Sequence, residues 1–201
     1  MKKVILSIVV AFLGIVLANA QFYAGGSFGY NSSTAKEDKN TASSFSIAPT
    51  VGYRLNDKLD FGLSVSAKSY NSTSRMVGLD ALYYTVKYKT QDFSVEPYLR
   101  YSIIQFDKFN ILGSAGIFAG KGKMNQETLV ISEEKYTNWG ASIYPTVIYD
   151  LSDKFALFSH LNFFRLGFSQ TKIEDGNTTT DFDFLLNAAD ILPAIGVRYK
   201  F

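Results

Sequence analysis

The fold this sequence predicts is all-β: an eight-stranded antiparallel up-and-down transmembrane β-barrel, with short turns at one end and long loops at the other. Three observations predict it. First, Phe45-Ser46-Ile47-Ala48-Pro49-Thr50-Val51-Gly52-Tyr53 returns as Phe93–Tyr101, Ala141–Tyr149 and Ile191–Phe201, which places Pro49, Pro97, Pro145 and Pro193 at intervals of 48 residues. Second, every copy alternates apolar residues with small or polar ones, the period of a strand with two different faces. Third, the segments between strands fall into two kinds, three short and four long.

The chain opens on Met1-Lys2-Lys3, then an apolar run from Val4 to Leu17, then Ala18-Asn19-Ala20. Charge, apolar run and small-x-small site in that order predict a secretory signal peptide over residues 1–20, cleaved before Gln21, and a barrel domain over 21–201. Loss of Lys2 and Lys3 takes the formal charge from +2 to 0, which leaves no electrostatic footprint for nucleic acid. The chain has no cysteine, so stability rests on packing or on a membrane rather than on disulfides. Its 17 Phe and 13 Tyr are more aromatic surface than a soluble protein of this size readily buries.

Strand one is expected over about residues 22–30, with Phe22, Ala24, Gly26, Phe28 and Tyr30 on one face. The first proline strand ends in Asn56-Asp57-Lys58, and Leu59 to Ala67 returns with the same alternation. Similar punctuation recurs at Asp107-Lys108 and Asp153-Lys154, where Asp and Asn bond nearby backbone and favour turns. One opener, three turn-linked pairs and the terminal proline strand make eight. The four remaining connections, about 31–42, 70–91, 121–138 and 169–187, are long and polar. Short turns opposite long loops is the asymmetry of barrels that cross a membrane.

Alternation alone does not say which face is wet. Tyr53, Tyr101, Tyr149, Tyr199 and Phe201 all lie at the short-turn ends, as an interfacial ring of aromatics requires. With the export segment and the loop asymmetry, this favours lipid outside and polar residues in the lumen over a water-soluble barrel. Proline cannot donate to a ladder, so each proline strand is expected to carry a bulge or to give up one hydrogen bond.

The terminal Ile195-Gly196-Val197-Arg198-Tyr199-Lys200-Phe201 resembles the C-terminal targeting strand of outer-membrane proteins. Residues 21–201 as a whole resemble the small eight-stranded porin-like outer-membrane β-barrel family, of the type of OmpX and the OmpA transmembrane domain. That resemblance implies a Gram-negative bacterial cell envelope, reached through the general secretory pathway. It implies periplasmic chaperones and the barrel-assembly machinery as partners in biogenesis, with Val197, Tyr199 and Phe201 recognised. It also implies outer-membrane lipid and lipopolysaccharide as surroundings, and a monomer.

By the alternation Arg54, Lys68, Glu96, Arg100, Asp150, His160 and Arg198 face inward, and a structural polar network filling the lumen is the expected role. Glu96 is expected to meet Lys68 or a basic residue across the lumen. His160 is the single histidine, and Ser159 beside it points to the opposite face. A catalytic base within reach of a nucleophile is therefore not predicted. One histidine and no cysteine make a transition-metal centre improbable, Glu174-Asp175-Gly176-Asn177 lacks calcium-loop spacing, and no cofactor is implied. The expected function is non-enzymatic: a structural envelope role, surface interaction or adhesion, with a ligand held by the loops at 70–91 and 121–138. A narrow porin-like channel is the alternative, and a lipid-modifying barrel enzyme the third reading.

Overall fold

The computed structural model describes residues 22–35, 40–77, 83–127, 131–161, 164–174, 176, 178–186 and 194–201. The expected signal peptide and Pro193 lie outside them. Ten strand segments form one antiparallel sheet: β1 (Phe22–Ala35), β2 (Asn40–Asn56), β3 (Leu59–Val77), β4 (Tyr83–Phe106), β5 (Phe109–Glu127), β6 (Ile131–Asp150), β7 (Phe155–His160), β8 (Phe164–Ile173), β9 (Thr178–Leu186) and β10 (Ala194–Lys200). The ten segments make eight staves. β7 and β8 are the lower and upper parts of the seventh, both paired with β6, and β10 and β9 stand in the same relation in the eighth. The ring β1-β2-β3-β4-β5-β6-β7-β10 closes on itself through β10 and β1.

Closure is staggered. From Phe28 the ladder leads through Ile47, Ala67 and Phe93 to Lys121 on β5. In the other direction it leads through Ile195, Ser159 and Val147 to Ile111 of the same strand. The offset is ten residues (121 minus 111), and a stagger of that kind tilts strands by roughly 35–45°.

The three described prolines disturb the ladder in two ways. Beside Pro49 the β2–β3 pairing skips from Ile47 to Thr50 without changing register, and beside Pro97 the β4–β5 pairing skips from Val95 to Tyr98 in the same way. A missing donor is simply omitted there. Pro145 faces the break in the seventh stave, where β6 moves three residues, from Thr146 to Ile143, while its partner moves six, from His160 to Leu166. Its carbonyl still accepts from the Leu161 amide at 2.9 Å.

The segments expected to be polar loops are largely strand. β1 and β2 pair out to Ala35 and Asn40, β3 and β4 to Val77 and Tyr83, and β5 and β6 to Glu127 and Ile131. Cross-strand pairing carries on after the apolar alternation has stopped. Opposite them the connections are tight, with Asp107 at φ 48 and the Lys58 amide bonded to Asn56 Oδ1 at 2.9 Å.

Candidate functional site: a lumen shut below and open above

Side chains on this sheet are sorted inside out. Val51, Leu63, Leu99, Ile117, Ile143, Ile195 and Val197 are exposed on the outer wall, whereas Ser27, Thr50, Ser102, Ser114, Ser142 and Thr146 are buried within. Two aromatic rings bound the outer apolar wall. At the short-turn end Phe22 packs on Tyr53, Phe109 on Tyr149 and Phe155 on Tyr199, with centroids 4.6–5.0 Å apart. Toward the other end Tyr30, Phe45, Phe93, Trp139 and Phe182 are exposed. From Tyr53 to Phe45 and from Tyr101 to Phe93 is eight residues, and from Tyr149 to Trp139 is ten. At about 3.3 Å per residue and a tilt near 40° the rings stand about 20–25 Å apart. That matches the roughly 25 Å apolar band of an outer-membrane barrel.

A family model described as the outer membrane protein beta-barrel domain matches residues 6–201. The chain belongs to this family. It is therefore a protein of the bacterial outer membrane. No curated protein matches it. Among solved structures it is similar to Neisserial surface protein A, at 15% identity over 91% of this chain and 98% of that one, with a TM-score of 0.38. A major outer membrane protein from Thermus thermophilus shares 11% identity over 90% and 99%, at 0.45. Ail, the attachment invasion locus protein of Yersinia pestis, shares 14% over 90% and 97%, at 0.35.

Inside this family barrel the lower lumen is packed. Asp60 on β3 accepts from Arg198 Nη1 at 3.1 Å on one oxygen and from Arg54 Nε at 3.4 Å on the other. Asp60 and Arg198 are 3% and 2% exposed, so this pair is desolvated and each charge depends on the other. The Arg198 guanidinium also lies 4.7 Å over the Tyr23 ring, and Arg100 lies 4.1 Å over that of Tyr98. Tyr23 and Tyr98 join hydroxyl to hydroxyl at 3.2 Å across the lumen. Leu112, Ile148, Ala156 and Phe158 fill the rest. At the floor Lys200 Nζ bonds Asp150 Oδ1 at 2.7 Å.

Glycines make room for these rings. A Cβ on Gly52 would collide with the Tyr23 ring, one on Gly62 with Tyr98, and one on Gly196 with Phe158. Tyr23, Tyr98 and Phe158 each lie across one of these glycines on the neighbouring strand, so these small positions of the sequence alternation are seats for the large ones.

Midway, Tyr144 donates to Glu96 Oε1 at 3.3 Å. Glu96 thus meets a tyrosine where Lys68 or a basic residue across the lumen was expected. His160 Nδ1 is 3.0 Å from Thr146 Oγ1, which is 2.7 Å from Ser114 Oγ. The imidazole is flanked by Tyr144 and Phe158. Ser159 pairs with Val147 and Ile195 on the outer face. Among the described residues no group of His, Asp or Glu is placed to hold a metal ion.

Above this level the lumen opens into a cavity of about 870 Å³, lined among others by Lys68, Asp92, Gly122 and Tyr136. The Tyr136 hydroxyl donates to Asp92 Oδ1 at 2.5 Å. Burial first, and the Asp92 carboxylate second, push its pKa up, so it remains a donor at neutral pH. The sequence-predicted residues therefore separate. Arg54, Arg100, Asp150 and Arg198 lie in the lower plug, Glu96 and His160 in the middle, and Lys68 at the mouth. Asp60, to which Arg54 and Arg198 both bond, was not singled out. Its signal was an acid between Leu59 and Phe61, a place that only an inward carboxylate can occupy in a lipid-facing strand.

Proposed function

We propose that the protein is a non-enzymatic envelope barrel that engages a surface partner through the outer ends of its hairpins. One observation carries this reading: the lower lumen is filled by a desolvated ion pair and stacked rings, while the ladder continues past the upper aromatic ring to Val77, Tyr83, Glu127 and Ile131. Long exposed strands offer backbone and side chains to a partner. A lumen packed below gives solutes no continuous path, which weighs against the channel. The Thr146 hydroxyl beside His160 is fully buried, which weighs against a hydrolytic site there. Val197, Tyr199 and Phe201 share the outer face of β10 and its end, with Tyr199 and Phe201 in edge contact at 5.0 Å, a surface suited to the assembly machinery.

The test replaces the β3–β4 hairpin beyond the paired Ser72 and Tyr88 with a short Gly/Ser turn. We expect a folded barrel, no steady planar-bilayer conductance before or after the change, and loss of adherence by cells displaying the protein on protein-coated surfaces. Retained adherence together with its loss in His160→Ala or Glu96→Gln would move the site into the lumen.

A further inference from the structure

Between the plug and the mouth, the inner wall presents more hydrogen-bond acceptors than the chain supplies with donors. Three of them follow the wall downward. Asp92 and Glu96 lie on one face of β4, four residues and therefore about 13 Å apart, with Ser94 between them. Asn138 on β6 pairs with Gly120, which pairs with Ser94, so it stands in the row between the two acids. A Cβ on Gly120 would meet Asn138 Oδ1 at 2.6 Å and Ser94 Cβ at 2.8 Å, so the amide oxygen reaches over the glycine toward β4. Asp92, Asn138 and Glu96 thus form a descending line with steps of about 7 Å.

Asp92 accepts from the Tyr136 hydroxyl and Glu96 from that of Tyr144, but among the described residues neither carboxylate has an ion-pair partner. The Asn138 amide oxygen is buried with no donor. Lys68 lies across from Asp92 in the β3–β4 ladder without forming an ion pair, and it stands four residues above the row of Glu96. Arg100 lies four residues below Glu96, 2% exposed and stacked on Tyr98. Above the level of Tyr144 the inward acids Asp92, Glu96, Glu134 and Asp181 face Lys68, the single inward base there among the described residues. Glu96, Ser94 and Asn138 are half-buried rather than enclosed, and they lie beneath the basin that Asp92 and Tyr136 border. Glu96 Oε1 is folded over Gly116, and Phe118, two residues above on the same face, lays its ring over Gly140. A carboxylate beside the rings of Phe118 and Tyr144 is a setting for an ammonium group.

We propose that this line of acceptors seats a linear aliphatic polyamine, a chain of ammonium groups joined by short methylene runs. Two carboxylates so far apart cannot share one metal ion, and among the described residues no group of His, Asp or Glu is placed to hold one. Charges carried on one flexible chain can satisfy both, while a nitrogen between them donates to Asn138 Oδ1. The methylenes lie against the rings of Phe118 and Tyr136. The plug closes the seat below, so the ligand enters and leaves by the mouth. The proposal goes beyond the surface reading and stands whether or not the hairpins engage a partner, because all three acceptors lie within the barrel.

The experiment titrates the full folded chain in neutral detergent micelles at low ionic strength and reads the heat of binding by calorimetry. The probes are spermidine, which is a triamine, the monoamine butylamine, and magnesium ion. We expect spermidine to bind at least about tenfold tighter than either of the other two. Glu96→Gln and Asp92→Asn should each weaken it by about tenfold, the loss of one charge-assisted contact. Asn138→Asp, which makes the middle acceptor a third carboxylate, should tighten it several-fold. Glu127→Gln and Glu133→Gln, on the outer face, should leave it unchanged. Should Glu96→Gln fold poorly, Asp92→Asn and Asn138→Asp carry the test. Equal binding of butylamine or magnesium ion, an unchanged affinity in folded Asp92→Asn or Glu96→Gln, or weaker binding in folded Asn138→Asp would each overturn the proposal.

Discussion

The lower and upper halves of the lumen are built from the same alternation and come to opposite ends. Below Glu96, inward positions hold Arg100, Tyr98, Tyr23, Asp60 and Arg198, and these close on one another until Asp60 and Arg198 are almost without solvent. Above it the inward positions hold Ser66, Ser94, Lys68, Asp92 and Tyr136, and an open cavity of about 870 Å³ remains. Side-chain length explains the difference. Two arginines and two tyrosines reach the axis of a small barrel, whereas serines bonded to each other at 2.7 Å, as Ser66 and Ser94 are, stay at the wall. The lower half is closed, and the upper half is an open basin.

The comparison breaks first at Asp60. Asp60→Ala leaves Arg198 charged, buried and without its carboxylate, which should cost about 3–5 kcal/mol in urea-induced unfolding from lipid vesicles. Lys68→Gln in the basin, where water reaches the side chain, should change stability by less than about 1 kcal/mol. Replacing Asp60 and Arg198 together with apolar residues of similar volume should recover most of the loss. If Asp60→Ala and Lys68→Gln cost the same, the two halves do not differ in desolvation.

The outer wall sharpens the same contrast. Arginine at Val51, Leu99, Val147 or Ile195, exposed or half-exposed between the two aromatic rings, should cost about 2–4 kcal/mol on folding into vesicles. Arginine at Thr137, above the upper ring on the same outer face, should cost about 0–1 kcal/mol. A uniform penalty at all five positions would show that the apolar band does not end at Trp139 and Phe93.

Much of this architecture was legible because a lipid-facing wall writes itself as strict alternation. The 48-residue recurrence of Pro49, Pro97 and Pro145 and the aromatic residues at the short-turn ends are consequences of one wall seen repeatedly. What stayed hidden lies where that contrast fades. Asn71-Ser72-Thr73 and Lys121 to Gln126 pair as regularly as the apolar stretches, but both their faces are wet, so no hydrophobic period marks them as strand. The split between β7 and β8 was invisible because the proline it faces, Pro145, sits on a different strand. The Asp60–Arg198 pair joins residues 138 apart in sequence, and alternation gives the face of each but not its partner. Glu96 shows the same limit: its inward direction was readable and Tyr144 was not.

The smallest effect separates the halves most finely, through glycines that seat aromatic rings. In both halves an inward tyrosine lies over a neighbouring glycine, Tyr98 over Gly62 below and Tyr136 over Gly122 above. In both cases an added Cβ would also approach a backbone carbonyl at 2.7 Å, that of Val51 for Gly62 and that of Gln91 for Gly122, so the strand must yield similarly. The rings differ in where they can go. Tyr98 is hemmed in by Tyr23 at 3.2 Å and by Arg100 at 4.1 Å from its centroid, so Gly62→Ala forces an overpacked lumen and should cost about 1–3 kcal/mol. Tyr136 borders the open basin and gives up one hydrogen bond to Asp92 when it swings away, so Gly122→Ala should cost about 1 kcal/mol. The two variants are to be compared by urea unfolding under one lipid composition. Equal losses would mean that the strand backbone, and not the space available to the ring, sets the cost of filling either seat.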